Sequence, residues 1–374
     1  MIVNGLTKSL TERVSTGNPL IIAGPCSAES PEQLLDVAKA LRADGRTHYF
    51  RAGVWKPRTS PGTFQGVGVE ALKWMAMVKR ETGLPVATEV ANERHVYEAL
   101  KHGVDLLWIG ARTVSNPFTV QEIAEAIRGV DIPVLVKNPL SPDVDLWEGA
   151  INRFARVGIT QLGAIHRGFS WWGKSIFRNQ PYWSIPSSLK ERMPNLPIIC
   201  DPSHIAGRRN LVPIIAQRGL EQGLNGLMVE VHPSPEHALS DSQQQLTPDS
   251  FVALLSALQD LQRSFALPEE LLAELRTEVD SIDDLLLWAL TNRMELSEQI
   301  ANIKSANSLP VFQQARWGQV LDRVVQLGGG KGLRPAFVKR LFSSIHKESC
   351  FVQQALVEKK PAKSEKQVNF ISSK

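Results

Sequence analysis

Short apolar runs rich in β-branched residues recur along the first 265 residues, near 20–26, 49–55, 85–90, 105–111, 133–137, 159–166, 197–201 and 226–231. Segments with helical periodicity separate them, at about 20 to 30 residues per repeat. Runs that are apolar at every position suit strands covered on both faces, and their alternation with helices predicts a parallel sheet. Eight such units predict an α/β fold, a closed (β/α)8 TIM barrel. An open doubly wound sheet is the alternative. It fits less well because no Gly-rich phosphate loop opens a helix after the first strand, and the chemistry-bearing residues are spread over nearly every strand end.

The pattern changes at Pro268. From Glu269 to Leu309 there is neither Pro nor Gly, and Glu and Leu are abundant. About 38 residues can run there as one helix of about 57 Å. Two more helices are predicted near 311–327 and 335–358, parted by the Gly-rich turn at 328–332, with Pro335 restarting the chain. The chain therefore divides into a barrel domain at 1–266, an all-α three-helix domain at 267–358 and a charged, apolar-poor tail at 359–374 expected to be disordered. A first helix that outruns its own globule packs against a partner's helix, which predicts an interlocked homodimer. Along it runs the row Leu272, Val279, Leu286, Arg293 and Ile300, with Leu275, Ile282, Ala289, Leu296 and Ile303 beside it. Arg293 in such a seam needs an anion, either a carboxylate side chain or a ligand. On the third helix Ser349 follows Phe342 by seven residues on an apolar row, and Gln353 lies one turn on. Polar groups so placed are either a buried hydrogen-bond network or a binding site.

Composition narrows the function classes. The three cysteines, Cys26, Cys200 and Cys350, are odd in number and lack framework spacing, which points to a reducing compartment and a cytoplasmic protein. The start has no signal-peptide pattern, and no uninterrupted apolar stretch of about 18 residues exists, so no membrane partner is expected. A formal net charge of +4 is too small to argue for nucleic acid.

Local chemistry is more specific. Cys26, His204 and Glu230 fall at or just past the ends of apolar runs, and Asp241 follows the last of these in a polar loop. Thiolate, imidazole and carboxylate together suit one divalent transition metal, manganese first and iron, cobalt or zinc otherwise, better than calcium or magnesium. The strand ends also carry Arg51, Lys56, Arg58, Arg112, Lys137 and Arg167. A parallel barrel brings these to one mouth, where like charges repel unless anions are the normal occupants, so phosphate and carboxylate ligands are expected. The proline-stiffened loop at 56–66 is shaped to wrap such a ligand.

IIAGPCSAES, FRAGVWKPRTSP, TEV, IGARTV, DPSHIAGRR and LMVEVHPSPEHALSDSQQQLTPDSF resemble the motifs of 3-deoxy-D-arabino-heptulosonate 7-phosphate synthases of the type Iβ branch, over residues 18 to 265. The resemblance implies condensation of phosphoenolpyruvate with erythrose 4-phosphate, the first step of the shikimate pathway. It implies that Cys26, His204, Glu230 and Asp241 hold the metal, with no organic cofactor. Arg112, Lys137, Arg167 and Lys56 would hold phosphoenolpyruvate with Arg51 nearby, and Lys56, Arg58 and Thr59 the sugar phosphate. Lys137 and Glu89 are candidates for moving protons. Related aldol enzymes acting on other sugars carry a loop resembling K-A-N-R-S, whereas this chain reads K-P-R-T, which favours the four-carbon acceptor. One departure is His166, where relatives often have Glu before the Arg-Gly pair. About 19 residues precede the first strand, so any feedback control is expected from the C-terminal module.

LLAELRTEVDSIDDLLLWALTNRMELSEQIANIKSAN and FVKRLFSSIHKESCFVQQAL resemble the all-helical chorismate mutase family over residues 269 to 357. That resemblance implies rearrangement of chorismate to prephenate. Arg293 and a partner protomer's Arg276 would meet the carboxylates, Lys304 and Gln353 would flank the ether oxygen, and Arg316 and Ser349 would line the pocket. Gln313 and Trp317 stand where the family commonly has Asp and Glu to receive the substrate hydroxyl. Fusion of the two activities suggests that prephenate or chorismate in the helical pocket inhibits the barrel. A module that mainly senses these ligands is the alternative.

Overall fold

The computed structural model describes residues 18–56, 62–173, 175–259, 271–330 and 332–358. Arg58, Thr59, Pro268 and the tail at 359–374, all singled out above, lie outside them. Eight strands form a closed barrel: β1 (Leu20–Gly24), β2 (Tyr49–Arg51), β3 (Val86–Val90), β4 (Leu106–Ile109), β5 (Val134–Lys137), β6 (Leu162–His166), β7 (Ile198–Cys200) and β8 (Gly226–Glu230). Each pairs in parallel with the next, and β8 closes on β1 with Gly24 opposite Glu230. The eight predicted runs are the eight strands, shorter than their apolar stretches. β2 keeps three residues, and past Arg51 the chain stays beside β1's extension through a Ser27–Gly53 bridge and hydrogen bonds from Gly53 and Lys56 to Cys26.

Two-residue alternation sorts the side chains. Leu20, Ile22, Trp108, Leu135, Ile165 and Met228 belong to a buried cluster inside the barrel. Their neighbours Ile21, Phe50, Leu107, Val134, Ala164 and Val229 pack outward in a larger cluster with the helices. Those helices are α1 (Pro31–Asp44), α2 (Val69–Thr82), α3 (Glu93–Lys101), α4 (Ala111–Val114), α5 (Pro117–Ala126), α6 (Val144–Arg156), α7 (Ser184–Arg192), α8 (Pro202–Ala206), α9 (Val212–Glu221) and α10 (Pro248–Gln259). Local chemistry sets their starts: Ser30, Asn92, Asn116 and Asp143 each accept a hydrogen bond from a first-turn N–H, and Pro31 and Pro117 sit where no intrahelical donor is needed. At Gly24, φ is 144° and an added Cβ would lie 2.2 Å from the Arg51 carbonyl, so only glycine lets β1 and β2 approach there.

The chain separates into two compact units between Glu278 and Val279. Three helices follow the barrel: α11 (Leu271–Ala306), α12 (Gln314–Gly329) and α13 (Pro335–Glu358). At 36 residues, α11 spans about 54 Å. Among the described residues, Leu286, Leu296 and Ile303 on its apolar rows are each more than half exposed, as is Trp288. No helix among the described residues is long and apolar enough to cross a membrane.

Candidate active sites

The end of the barrel where the strands terminate gathers the four ligand candidates. Cys26 lies two residues beyond β1, with its N–H donating to Gln245 Oε1 at 3.0 Å. Glu230 is the last residue of β8, and Asp241 follows in the next loop with φ of 52°, a left-handed backbone that Asp tolerates better than most residues. Ligand atoms of Cys26, Glu230 and Asp241 all lie within 4.8 Å of one another. His204, on α8, brings Nε2 to 3.7 Å from Glu230 Oε1 and 3.9 Å from Asp241 Oδ2. Its Nδ1 is held by Asp201 at 2.8 Å, and the Asp201 carboxylate also caps α8 by accepting from the His204 N–H. Glu230 is oriented in turn by Gln244 Nε2 at 2.6 Å and by its own N–H donating to Ser203 Oγ. One thiol, one imidazole and two carboxylates, each steered by a second layer of hydrogen bonds, form a donor set that fits a borderline transition metal ion.

Protonation follows from burial and charge. Burial, reinforced by Glu230, pushes the Cys26 thiol well above its ordinary range. A nearby cation is what would favour the thiolate there. Burial would raise Asp241 and Glu230, but His204 with Arg178 outweighs it at Asp241, and His204 with Arg51 at Glu230, so both stay below the usual carboxylate range.

The cations surround this cluster. Lys56 donates to Cys26 Sγ at 2.9 Å. Arg51, fully buried, donates to Glu230 Oε1 at 3.1 Å, and its guanidinium stands 5.0 Å above the Trp108 ring. Its Nε and Nη1 have no hydrogen-bond partner. Lys137, ending β5, pairs with Asp201 at 3.0 Å and lies 6.0 Å from the same ring. The Trp108 indole donates to Glu89 Oε2 at 2.8 Å, and Gly110 makes room for that carboxylate, since a Cβ there would meet it at 2.2 Å. Arg167 is clamped by Asn138, which accepts from its N–H, and by Asn179, which accepts from its Nη1. Burial brings Arg167 down to about 10, with Arg178 and Arg112 adding to the effect. Arg112, on α4, is exposed.

The expectation that these cations wait for external anions alone needs correcting. Arg51 and Lys137 are paired with the chain's own Glu230 and Asp201, because charges this deeply buried require a counter-charge in every state. Among the described residues, the edge of Arg51 that carries Nε and Nη1 is left without a partner. Asp201, Trp108, Asn138, Asn179, Gln244 and Arg178 escaped the sequence reading. Asp201 was the findable one, since it stands directly past a strand end within DPSH. Arg178 lies 3.0 Å from Asp241 and lines a cavity of about 490 Å³ with Ser175, Phe177, Arg208 and Ser242. His166 points outward, away from the mouth, among Trp147, Phe169 and Trp183. Burial lowers it to about 3, against the opposing effect of the Pro181 carbonyl, so it packs as a neutral ring.

In the helical unit, Arg293 on α11 donates to the Ser349 hydroxyl and, at 3.4 Å, to the Ile345 carbonyl. These are neutral acceptors, where the sequence called for a carboxylate or a ligand. Lys304 donates to Gln353 Oε1 at 3.1 Å and to the Val311 carbonyl at 2.5 Å. Arg293, Lys304, Ser349 and Gln353 thus meet between α11 and α13, with Ser349 and Gln353 buried. Arg316 and Gln313 are exposed, Arg276 is exposed, and Trp317 stacks on His346 with ring centres 4.2 Å apart.

Residues 7–266 match the DAHP synthetase I family, and residues 275–354 match chorismate mutase type II. A phospho-2-dehydro-3-deoxyheptonate aldolase of Thermotoga maritima is 32% identical over 249 residues, covering 67% of this chain and 71% of that protein. A 2-dehydro-3-deoxyphosphooctonate aldolase of Polaromonas naphthalenivorans is 28% identical over 263 residues, covering 65% and 90%. Among solved structures, a DAHP synthase of Thermotoga maritima superposes with a TM-score of 0.58 at 31% identity, over 65% of this chain and 68% of that one. The chain belongs to the DAHP synthetase I family and carries a chorismate mutase type II domain behind its barrel.

Proposed function

We propose that the barrel condenses phosphoenolpyruvate with erythrose 4-phosphate to 3-deoxy-D-arabino-heptulosonate 7-phosphate. The observation that carries this reading is the convergence of Cys26, His204, Glu230 and Asp241 beside Lys56 and the unpartnered edge of Arg51. Cys26, His204, Glu230 and Asp241 would hold a divalent metal, manganese first, which would supply Lewis-acid polarisation of the acceptor aldehyde. Arg112, Lys137, Arg167 and Lys56 hold the carboxylate and phosphate of phosphoenolpyruvate with Arg51 nearby, while Lys56, Arg58 and Thr59 hold the sugar phosphate. Fixed between them, the methylene carbon of phosphoenolpyruvate faces the aldehyde carbon, and orientation replaces a nucleophilic side chain. The new carbon–carbon bond leaves an oxocarbenium at the phosphate-bearing carbon, water adds to it, and the phosphohemiketal loses phosphate. Glu89, steered by Trp108, and Lys137 carry the protons. No organic cofactor is needed. The K-P-R-T loop selects the four-carbon over a five-carbon acceptor. Turnover is tested with each acceptor, with and without chelator; chelator-insensitive synthesis, or preference for the five-carbon sugar, overturns this reading.

The helical unit converts chorismate to prephenate. In this rearrangement the ether C–O bond breaks as a C–C bond forms, without nucleophile or proton transfer, so a fixed cationic cage suffices. Arg293 and the partner subunit's Arg276 bind the carboxylates, Lys304 and Gln353 face the ether oxygen, and Arg316 and Ser349 line the pocket. The exposed apolar rows of α11 support a homodimer through this unit. Prephenate bound there inhibits the barrel, and unchanged synthase rates at saturating prephenate count against that. The protein works in the cytoplasm, in keeping with its three free cysteines.

A further inference from the structure

We infer that His346, stacked on Trp317, is the group of the helical pocket that meets the ring hydroxyl of chorismate and so sets its specificity; this rests on the mutase reading above. His346 lies three residues before Ser349 and seven before Gln353 on α13, so all three side chains share one stripe of the helix. Ser349 and Gln353 are the partners of Arg293 and Lys304, which places the imidazole on the wall that carries the cationic pair.

The ring is held firmly. Its face lies parallel to Trp317 within 4°, Phe312 stands 5.9 Å away at an angle, and Cys350 Sγ is 3.6 Å from Nε2. Burial, with Arg293 and Lys304 nearby, lowers its proton affinity, which keeps the imidazole uncharged.

Chorismate presents two carboxylates, an ether oxygen and one hydroxyl. Arg293 and Lys304 can only donate, which suits the anions and the ether. A hydroxyl both donates and accepts; Ser349 and Gln353 on this stripe are engaged by Arg293 and Lys304, which leaves the imidazole as the uncharged group there that can complement either role. A site built around such a contact discriminates against a ligand lacking the hydroxyl, because the polar group is then left unpaired.

The test measures kcat and KM of the full-length protein, His346→Leu and His346→Gln, on chorismate and on the analogue lacking the ring hydroxyl. His346→Leu is expected to lose about tenfold in kcat/KM on chorismate, mostly through KM, and to stay within about twofold of wild type on the analogue. His346→Gln, which keeps a donor and an acceptor, recovers most of the loss. Because each variant is compared with itself on two substrates, a partly unfolded preparation cannot mimic this pattern. Equal losses on both substrates, or none on either, overturn the assignment. A wild-type protein without turnover of chorismate overturns the mutase reading and this inference with it.

Discussion

The barrel mouth and the helical pocket use the same currency of fixed cations, yet they are built to different degrees of completion. In the barrel, Arg51, Lys137, Glu230 and Asp201 are almost wholly buried and already paired, and the ends of four strands deliver them from one chain. In the helical unit, Arg293 and Lys304 rest on a hydroxyl, an amide and backbone carbonyls, and the flanking rows of α11 are bare. A closed parallel barrel converges its own side chains. Two helices bring together four polar side chains, and the exposed rows of α11 stand beside them.

The contrast breaks most visibly at Cys26. Cys26→Ala should lower synthase activity by about 10³ or more and cut bound metal, with mutase turnover unchanged; retained metal-dependent synthesis refutes the ligand set. Lys304→Ala is the mirror experiment, expected to cost the mutase about 10² while the synthase is untouched. A variant within threefold of wild type would show the cage to be misassigned. Trp108→Phe sharpens the barrel side: it keeps a ring beneath Arg51 but removes the indole donor to Glu89, and about a tenfold drop in synthase kcat is expected. No change would mean Glu89 needs no steering.

The smallest effect is on stability. His166 titrates near 3 when folded, against about 6.5 in an open chain, so the unfolded state takes the proton first and stability falls as pH drops from about 6.5 toward 3. His166→Phe should flatten that slope by up to about 1.4 kcal/mol per pH unit, read by denaturant unfolding between pH 4 and 7. An unaltered slope would place the acid sensitivity in other groups.

The eight strands and three helices were legible because apolar periodicity is a property of neighbours in sequence. The convergence of Cys26, His204, Glu230 and Asp241 was legible because strand ends in a barrel share one face, so Cys26 and Glu230 could be joined across the whole domain. What stayed hidden depends on distances between loops. Nothing in the sequence tells that Arg178 reaches Asp241, or that Asn179 accepts from Arg167, since both contacts depend on the path of the loop after β6. The self-pairing of Arg51 with Glu230 was hidden too, because counting charges does not reveal which of them meet.

Asp201 stands between His204 and Lys137, bonded to both. Its removal would strand an imidazole and an ammonium together, and replacing either neighbour would leave Asp201 itself buried without its counter-charge. The three positions are therefore energetically linked, and a single replacement at any of them leaves a buried charge without its counterpart. One carboxylate thus ties the stability of the strand end at β5 to that of the helix that follows β7.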